Sequence, residues 1–125
     1  MKNSFSLGTD LVDVARIHRL IKNKSFLDRV FTPEEIQYCI DKKNAAQHFG
    51  VRFAAKEAVW KALSLVPRFN GIGHKEISIK RDRNGRPSVV LSSRIKKFEK
   101  ELTISLSHTK EYAMAVCLWN GSQKK

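Results

Sequence analysis

The fold turns on AQHFGVRFAAKEAVWKALSL, residues 46–65. Phe49, Phe53, Val59 and Leu63, with several alanines between them, recur at helical spacing. They predict a long helix from about Ala46 to Leu65, which Pro67 ends because it has no N–H to donate. Upstream of this stretch the apolar pattern stays helical. Thr32 reads as an N-cap, Pro33 as the first helical residue and Glu35 as the far side of a capping box, opening a helix that carries Ile36, Cys39 and Ile40. SFLDRVF, residues 25–31, predicts a shorter helix. Asp13 can cap a helix from Val14 to about Asn23, with Ile17, Leu20 and Ile21 on one side. Before it, Phe5 to Val12 reads as a strand with Gly8 inside.

Downstream the period changes to two. Glu76 to Arg81 alternates, Asn84-Gly85 is a hairpin signal, and Ser88 to Leu91 returns as a strand. A basic helix is expected over Ser93 to Lys100. Leu102 to Ser107 alternates again, and Glu111 to Trp119 is nearly continuously apolar, which predicts a central strand. Helices first and antiparallel strands second imply an α+β fold: one domain over residues 1–120, an antiparallel sheet packed by helices, and a loose tail at 121–125.

The chain has 125 residues, 42% of them hydrophobic and 29% charged, which is ordinary for one globular domain and excludes disordered or collagen-like classes. No apolar run reaches the roughly 18 residues of a membrane span. Asp10 and Asp13 interrupt the stretch where an export signal needs apolar residues, so the expected compartment is the cytoplasm. Lys and Arg number 24 against 12 Asp and Glu, a formal net charge of +12. Such a surface attracts polyanions: nucleic acid, anionic lipid, a phosphorylated small molecule or an acidic protein. Cys39 and Cys117 form no CxxC and are expected as buried free thiols.

Four groups could carry chemistry. Asp10 is a carboxylate at a strand that also holds Gly8; it is either a turn or cap residue or, if buried, a metal ligand. Phe53, Glu57 and Lys61 share one helix face, with Arg52 and Lys56 on a neighbouring one. Glu57 and Lys61 read either as an i,i+4 ion pair on a solvated helix or as a metal carboxylate with a cation beside it for phosphate. Ser107-His108-Thr109-Lys110 after a strand can cradle a phosphate or simply turn the chain. Asn84-Gly85-Arg86-Pro87 is sufficiently explained as a β-turn. His18, His48, His74 and His108 show no zinc spacing. Gly71-Ile72-Gly73 is no phosphate loop.

In this order, Gly8-Thr9-Asp10-Leu11-Val12-Asp13 with Arg16-Ile17, Phe31-Thr32-Pro33-Glu34-Glu35, Arg52-Phe53-Ala54-Ala55-Lys56-Glu57-Ala58, Asn84-Gly85-Arg86-Pro87 and Ser105-Leu106-Ser107-His108-Thr109-Lys110-Glu111-Tyr112-Ala113 resemble the holo-[acyl-carrier-protein] synthases, the short bacterial 4′-phosphopantetheinyl transferases. The resemblance runs from about residue 6 to 119. It implies transfer of 4′-phosphopantetheine from coenzyme A to a serine of an apo acyl carrier protein, with release of adenosine 3′,5′-bisphosphate. It also implies dependence on Mg²⁺, a role in fatty acid biosynthesis, and a homotrimer with active sites between subunits.

The resemblance assigns roles as well. Asp10 and Glu57 match the metal carboxylates, a donor set that suits Mg²⁺. Glu57 is also a candidate general base, directly or through a water on the metal, and Lys61 would offset pyrophosphate charge. Arg52 and His108 match positions that contact coenzyme A phosphates, and Asn84, Gly85, Arg86 and Pro87 lie near the adenosine. Arg16 matches the carrier-docking position. Three departures stand out: where members usually carry a glycine-threonine-glycine stretch after the FAAKEA helix, Ser64-Leu65-Val66-Pro67-Arg68-Phe69-Asn70 precedes Gly71-Ile72-Gly73, in a loop that covers part of the nucleotide side; Asp13 stands where many members have Glu; and Val51 occupies a place more often small. Two other readings start from charge: a nucleic-acid module, with Phe and Trp residues to stack on bases, and a catalytically silent binder of acidic proteins or anionic membrane.

Overall fold

A computed structural model describes residues 4–66 and 71–121. The elements run β1 (Phe5–Asp13), α1 (Val14–Leu20), α2 (Lys24–Val30), α3 (Pro33–Ile40), α4 (Ala45–Leu63), β2 (Ile77–Arg81), β3 (Pro87–Leu91), β4 (Leu102–His108) and β5 (Tyr112–Asn120). The expected α+β order is present. The antiparallel strands divide between two sheets, one of three strands in the order β1-β5-β4 and one formed by the β2-β3 hairpin. The apolar β5 is central, as its sequence predicts.

Helix α4 is buried on nearly every side and packs against β1, β2, β4, β5, α1 and α3. Phe49, Ala54, Ala55, Ala58, Val59, Ala62 and Leu63 have no exposed surface. A helix so enclosed needs small residues on one side to let another backbone approach, and Gly8 of β1 is where that happens. A Cβ at Gly8 would lie 2.0 Å from the Ala58 carbonyl oxygen and 2.7 Å from the Ala62 nitrogen. On the opposite side, Phe31 packs edge-on against Phe49 at 4.9 Å and Phe26 against Phe53 at 5.9 Å, drawing α2 onto α4. These aromatics belong to the core and present no stacking surface for nucleic-acid bases.

Local signals explain the element ends. Asp13 caps α1 by accepting from Ala15 N at 2.9 Å. Helix α1 stops at Leu20, short of the expected Asn23, because Asn23 caps α2 instead, accepting from Phe26 N at 3.2 Å. The Thr32–Glu35 capping box is formed in both directions, at 3.2 and 3.0 Å. Helix α4 ends at Leu63 with Ser64 as its C-cap, so it closes before Pro67, which lies outside the described residues. The segment Ser93–Glu101 is a 3₁₀ helix kinked at Ile95. Ile95, Phe98 and Glu101 repeat every third residue, which suits a helix of three residues per turn.

The hairpin turn expected at Asn84-Gly85 is present, with Gly85 at φ +81° and the Asp82 carboxylate accepting from Asn84 N and Arg86 N. Cys39 and Cys117 are buried free thiols. Of the tail, Gly121 donates to the Ser4 carbonyl at 3.0 Å, and residues 122–125 lie outside the description. Among the described residues no helix is long and apolar enough to cross a membrane. The outer face of β1 and β5 is largely apolar: Phe5, Leu7, Leu11, Tyr112, Met114 and Val116 are all exposed, with Leu11 opposite Met114 in register, while β4 presents Thr103, Ser105 and Ser107 there.

Candidate active site

Alternation along β1 points Ser6, Gly8, Asp10 and Val12 toward α4, and Asp10 lies at the rim of that contact. There α4 meets it with Lys61, whose Nζ donates to the Thr9 carbonyl at 2.9 Å and to Asp10 Oδ1 at 3.3 Å. Burial pushes the Asp10 carboxyl up; the Lys61 hydrogen bond and charge oppose this, the nearby Glu57 charge adds to it, and Arg16 opposes it. Asp10, Glu57, Lys61 and Arg16 therefore share one electrostatic neighbourhood. Arg16 itself is exposed on α1.

Glu57 and Lys61 do not pair with each other as the solvated-helix reading holds. Lys61 turns to Asp10, and Glu57 Oε2 lies 2.6 Å from His74 Nε2. Among the described residues no group of three His, Cys, Asp or Glu could hold a metal ion. The Glu57 carboxylate is near enough for its charge to act on Asp10. That pair of carboxylates fits a hard cation which takes one or two carboxylates and completes its shell with water and phosphate oxygens.

Lys56 shares a helix face with Arg52, as their spacing predicts; it is fully buried there and paired with Glu35 at 2.6 Å. It also donates to the His74 and Ile77 carbonyls at 3.0 and 2.7 Å. Burial lowers the Lys56 pKa, and the charge of Glu35 works against that fall. Glu35, read as a cap residue, thus serves the cap and the core at once, and Ile79 N also donates to it at 3.3 Å.

Arg52 faces elsewhere. Five residues before Glu57, it lies about 140° around the helix from it. Its side chain stacks over the Tyr38 ring at 4.7 Å and donates to the His48 carbonyl at 3.1 Å. It lines a cavity of about 490 Å³ in which Lys80 and Arg81 add positive charge, Glu34 and Glu35 add negative charge, and Thr32, Tyr38 and Ser78 are neutral. Burial lowers the His48 pKa, and the charges of Arg52, Lys42, His108 and Arg81 lower it further, so His48 lies near both Arg52 and His108. Pro87 borders a small recess beside Arg52, Lys80, Arg81 and Leu106. Asn84, Gly85 and Arg86 are exposed at the hairpin tip. The described residues thus form two groups on different sides of α4, one of carboxylates with a lysine and one of Arg52, Lys80 and Arg81 around a cavity that Glu34 and Glu35 also line. Sequence reasoning did not find Tyr38, Lys80, Arg81 or His74, because no local spacing links them to Arg52 or Glu57.

A family model described as the 4′-phosphopantetheinyl transferase superfamily matches residues 6–117. The chain belongs to this superfamily. It is 40% identical to a holo-[acyl-carrier-protein] synthase of Geotalea daltonii, over 90% of this chain and 94% of that one. The transferase fold is shared with a crystal structure of a holo-(acyl-carrier-protein) synthase from Bacillus anthracis in complex with CoA (3′,5′-ADP). That match has TM-score 0.75 and 26% identity, covering 94% of this chain and 96% of that one. A Helicobacter pylori holo-[acyl-carrier-protein] synthase in complex with coenzyme A matches with TM-score 0.73 and 32% identity, covering 89% and 96%.

Proposed function

We propose that this transferase moves the 4′-phosphopantetheine of coenzyme A onto a serine hydroxyl of an apo acyl carrier protein, supplying the holo carrier for fatty acid biosynthesis in the cytoplasm. The observation that carries the reading is the pairing of Asp10, Glu57 and Lys61 on one side of α4 with the Arg52 cavity on the other. In the reaction the serine oxygen bonds to the β-phosphorus and the bond to the bridging pyrophosphate oxygen breaks. Adenosine 3′,5′-bisphosphate leaves, and the serine proton passes to a base. Such a transfer asks the protein mainly for positioning and charge neutralisation.

The residues divide that work. Arg52 and His108, helped by Lys80 and Arg81, hold the phosphates of the adenosine part. An arginine braced by Tyr38 presents its fork to a 3′-phosphate with little rotamer freedom left to lose. The hairpin tip from Asn84 to Pro87 borders the adenosine. Asp10 and Glu57 would hold Mg²⁺, which when bound supplies positive charge to the pyrophosphate. Lys61, already drawn to the Asp10 rim, adds a second positive charge there. Glu57 is the proton acceptor this half-site offers, directly or through a water. Arg16, exposed beside the carboxylates, suits docking of an acidic carrier protein.

One chain keeps its half-sites about 140° apart around α4. A homotrimer in which one subunit's carboxylates face the next subunit's Arg52 cavity would join them. The exposed apolar face of β1 and β5 supports such an assembly.

The test is the intact mass of an apo acyl carrier protein after incubation with the chain, coenzyme A and Mg²⁺. A gain of one phosphopantetheine, abolished by a chelator, is expected. No gain with several carrier proteins would contradict the assignment and leave a silent binder of acidic partners.

A further inference from the structure

Glu57 takes its partner from a distant segment. His74 Nε2 lies 2.6 Å from Glu57 Oε2. A carboxylate oxygen only accepts, so Nε2 carries the hydrogen of this bond. The imidazole is also stacked on Phe53, one helical turn before Glu57, with ring centres 5.8 Å apart and planes 13° from parallel. Stacking fixes the plane of the ring, and the ring fixes one oxygen of the carboxylate.

The backbone that carries His74 is tied down from both sides. On the core side, Lys56 Nζ donates to the His74 carbonyl at 3.0 Å while it is held by Glu35 at 2.6 Å. On the outer side, Glu76 accepts from Gly73 N at 3.0 Å, Ser92 Oγ at 2.9 Å and Arg94 Nη2 at 2.7 Å. Arg94 Nη2 also donates to the Gly71 carbonyl at 2.9 Å. A histidine that merely filled a turn would need none of this. Here a fully buried ion pair and a bidentate arginine hold one ring against one carboxylate.

We propose that His74 is the positioning residue of Glu57. Its Nε2–H holds Oε2 and fixes the side-chain rotamer, leaving Oε1 for a cation. A free glutamate loses rotamer entropy when it binds an ion; one already held has less to lose. Carboxylate ligands are commonly hydrogen-bonded in this way, and loss of such a partner weakens metal binding about 10- to 100-fold. The inference rests on the reading of Glu57 as a cation ligand.

Two variants separate the hydrogen bond from the packing. His74→Phe keeps a ring on Phe53 and removes the donor. His74→Gln removes the ring and keeps an amide N–H in reach of Glu57. The probe is Mn²⁺, titrated by electron paramagnetic resonance into the chain with coenzyme A present. Thermal unfolding checks that each variant folds, and His74→Ala serves as a second donor-free variant.

The Phe and Ala variants are expected to bind Mn²⁺ about tenfold or more weakly, with the Gln variant close to wild type. The KM for coenzyme A at saturating Mn²⁺ should stay near wild type in all three, because the Arg52 cavity is untouched. Wild-type Mn²⁺ affinity in His74→Phe, or a loss in His74→Gln as large as in His74→Phe, overturns the positioning role alone. A wild-type chain that takes up no Mn²⁺ overturns the carboxylate reading and this inference with it.

Discussion

At the residue scale, the account depends on single groups with separable roles. Asp10 is half-buried with its charged form disfavoured, and Glu57 is held by His74. Asp10→Ala and Glu57→Ala should each fold and lose turnover by about 100-fold or more, the size of effect seen when a group stabilising developing charge is removed. Steady-state rates alongside thermal melts check this, and retained turnover in both variants would remove the metal assignment. Arg52→Ala should act differently. A charge-assisted contact worth roughly 1.5–3 kcal/mol predicts a KM for coenzyme A about 10- to 100-fold higher, with a smaller change in kcat. The stretches that hold Asp10, Glu57, Lys61 and Arg52 stood out in the sequence, though the roles proposed for them come from the family resemblance and not from spacing. His74 did not stand out, since it meets Glu57 from 17 residues away along the chain. The burial of Lys56 was not legible for a related reason: Glu35, which neutralises it, lies on another helix.

At the scale of elements, the long helix sets the geometry. Gly8 lets β1 lie against α4 closely enough to bring Asp10 to the turn that carries Glu57 and Lys61. Gly8→Ala places a methyl group 2.0 Å from the Ala58 carbonyl oxygen. Neither backbone can yield cheaply, so a loss of at least about 1–3 kcal/mol is expected, read from denaturant unfolding. Lys56→Met leaves Glu35 buried without its cation and should cost about 3–5 kcal/mol. The Glu76–Arg94 contact is tested by acid. Its hydrogen bonds from Arg94, then from Gly73, hold the Glu76 carboxyl down at about 2, from an ordinary value of 4.5. A carboxylate depressed in the folded state stabilises above its unfolded pKa, and that gain fades as pH falls through its folded one. The difference in melting temperature between wild type and Arg94→Ala should therefore be full at pH 6, shrink below about pH 4.5 and vanish near pH 2. A difference that does not change with pH would contradict it. Most elements were readable from caps and periodicity: the Thr32 box, the Asn84-Gly85 turn and the apolar run of β5 all formed where expected. The 3₁₀ helix at Ser93–Glu101 was read as an ordinary one because two periods, three and 3.6, are hard to separate over nine residues. The division of the strands into two sheets was not readable, because pairing between distant strands leaves no local mark.

At the scale of the whole molecule, two features belong together: half-sites that α4 holds apart, and an apolar sheet face open to solvent. The proposed trimer, in which a second copy packs against the first, would account for both. The central claim, that one catalytic centre is made from two chains, can be tested by mixing variants. Glu57→Ala lacks the carboxylate half and Arg52→Ala the cationic half. Each is assayed alone and after subunit exchange, with coenzyme A below its wild-type KM. If sites form between copies, random mixing restores about a quarter of the wild-type turnover, since each intact site needs one good half from each neighbour. A mixture no more active than the average of the two variants would contradict the account and place the whole centre within a single chain.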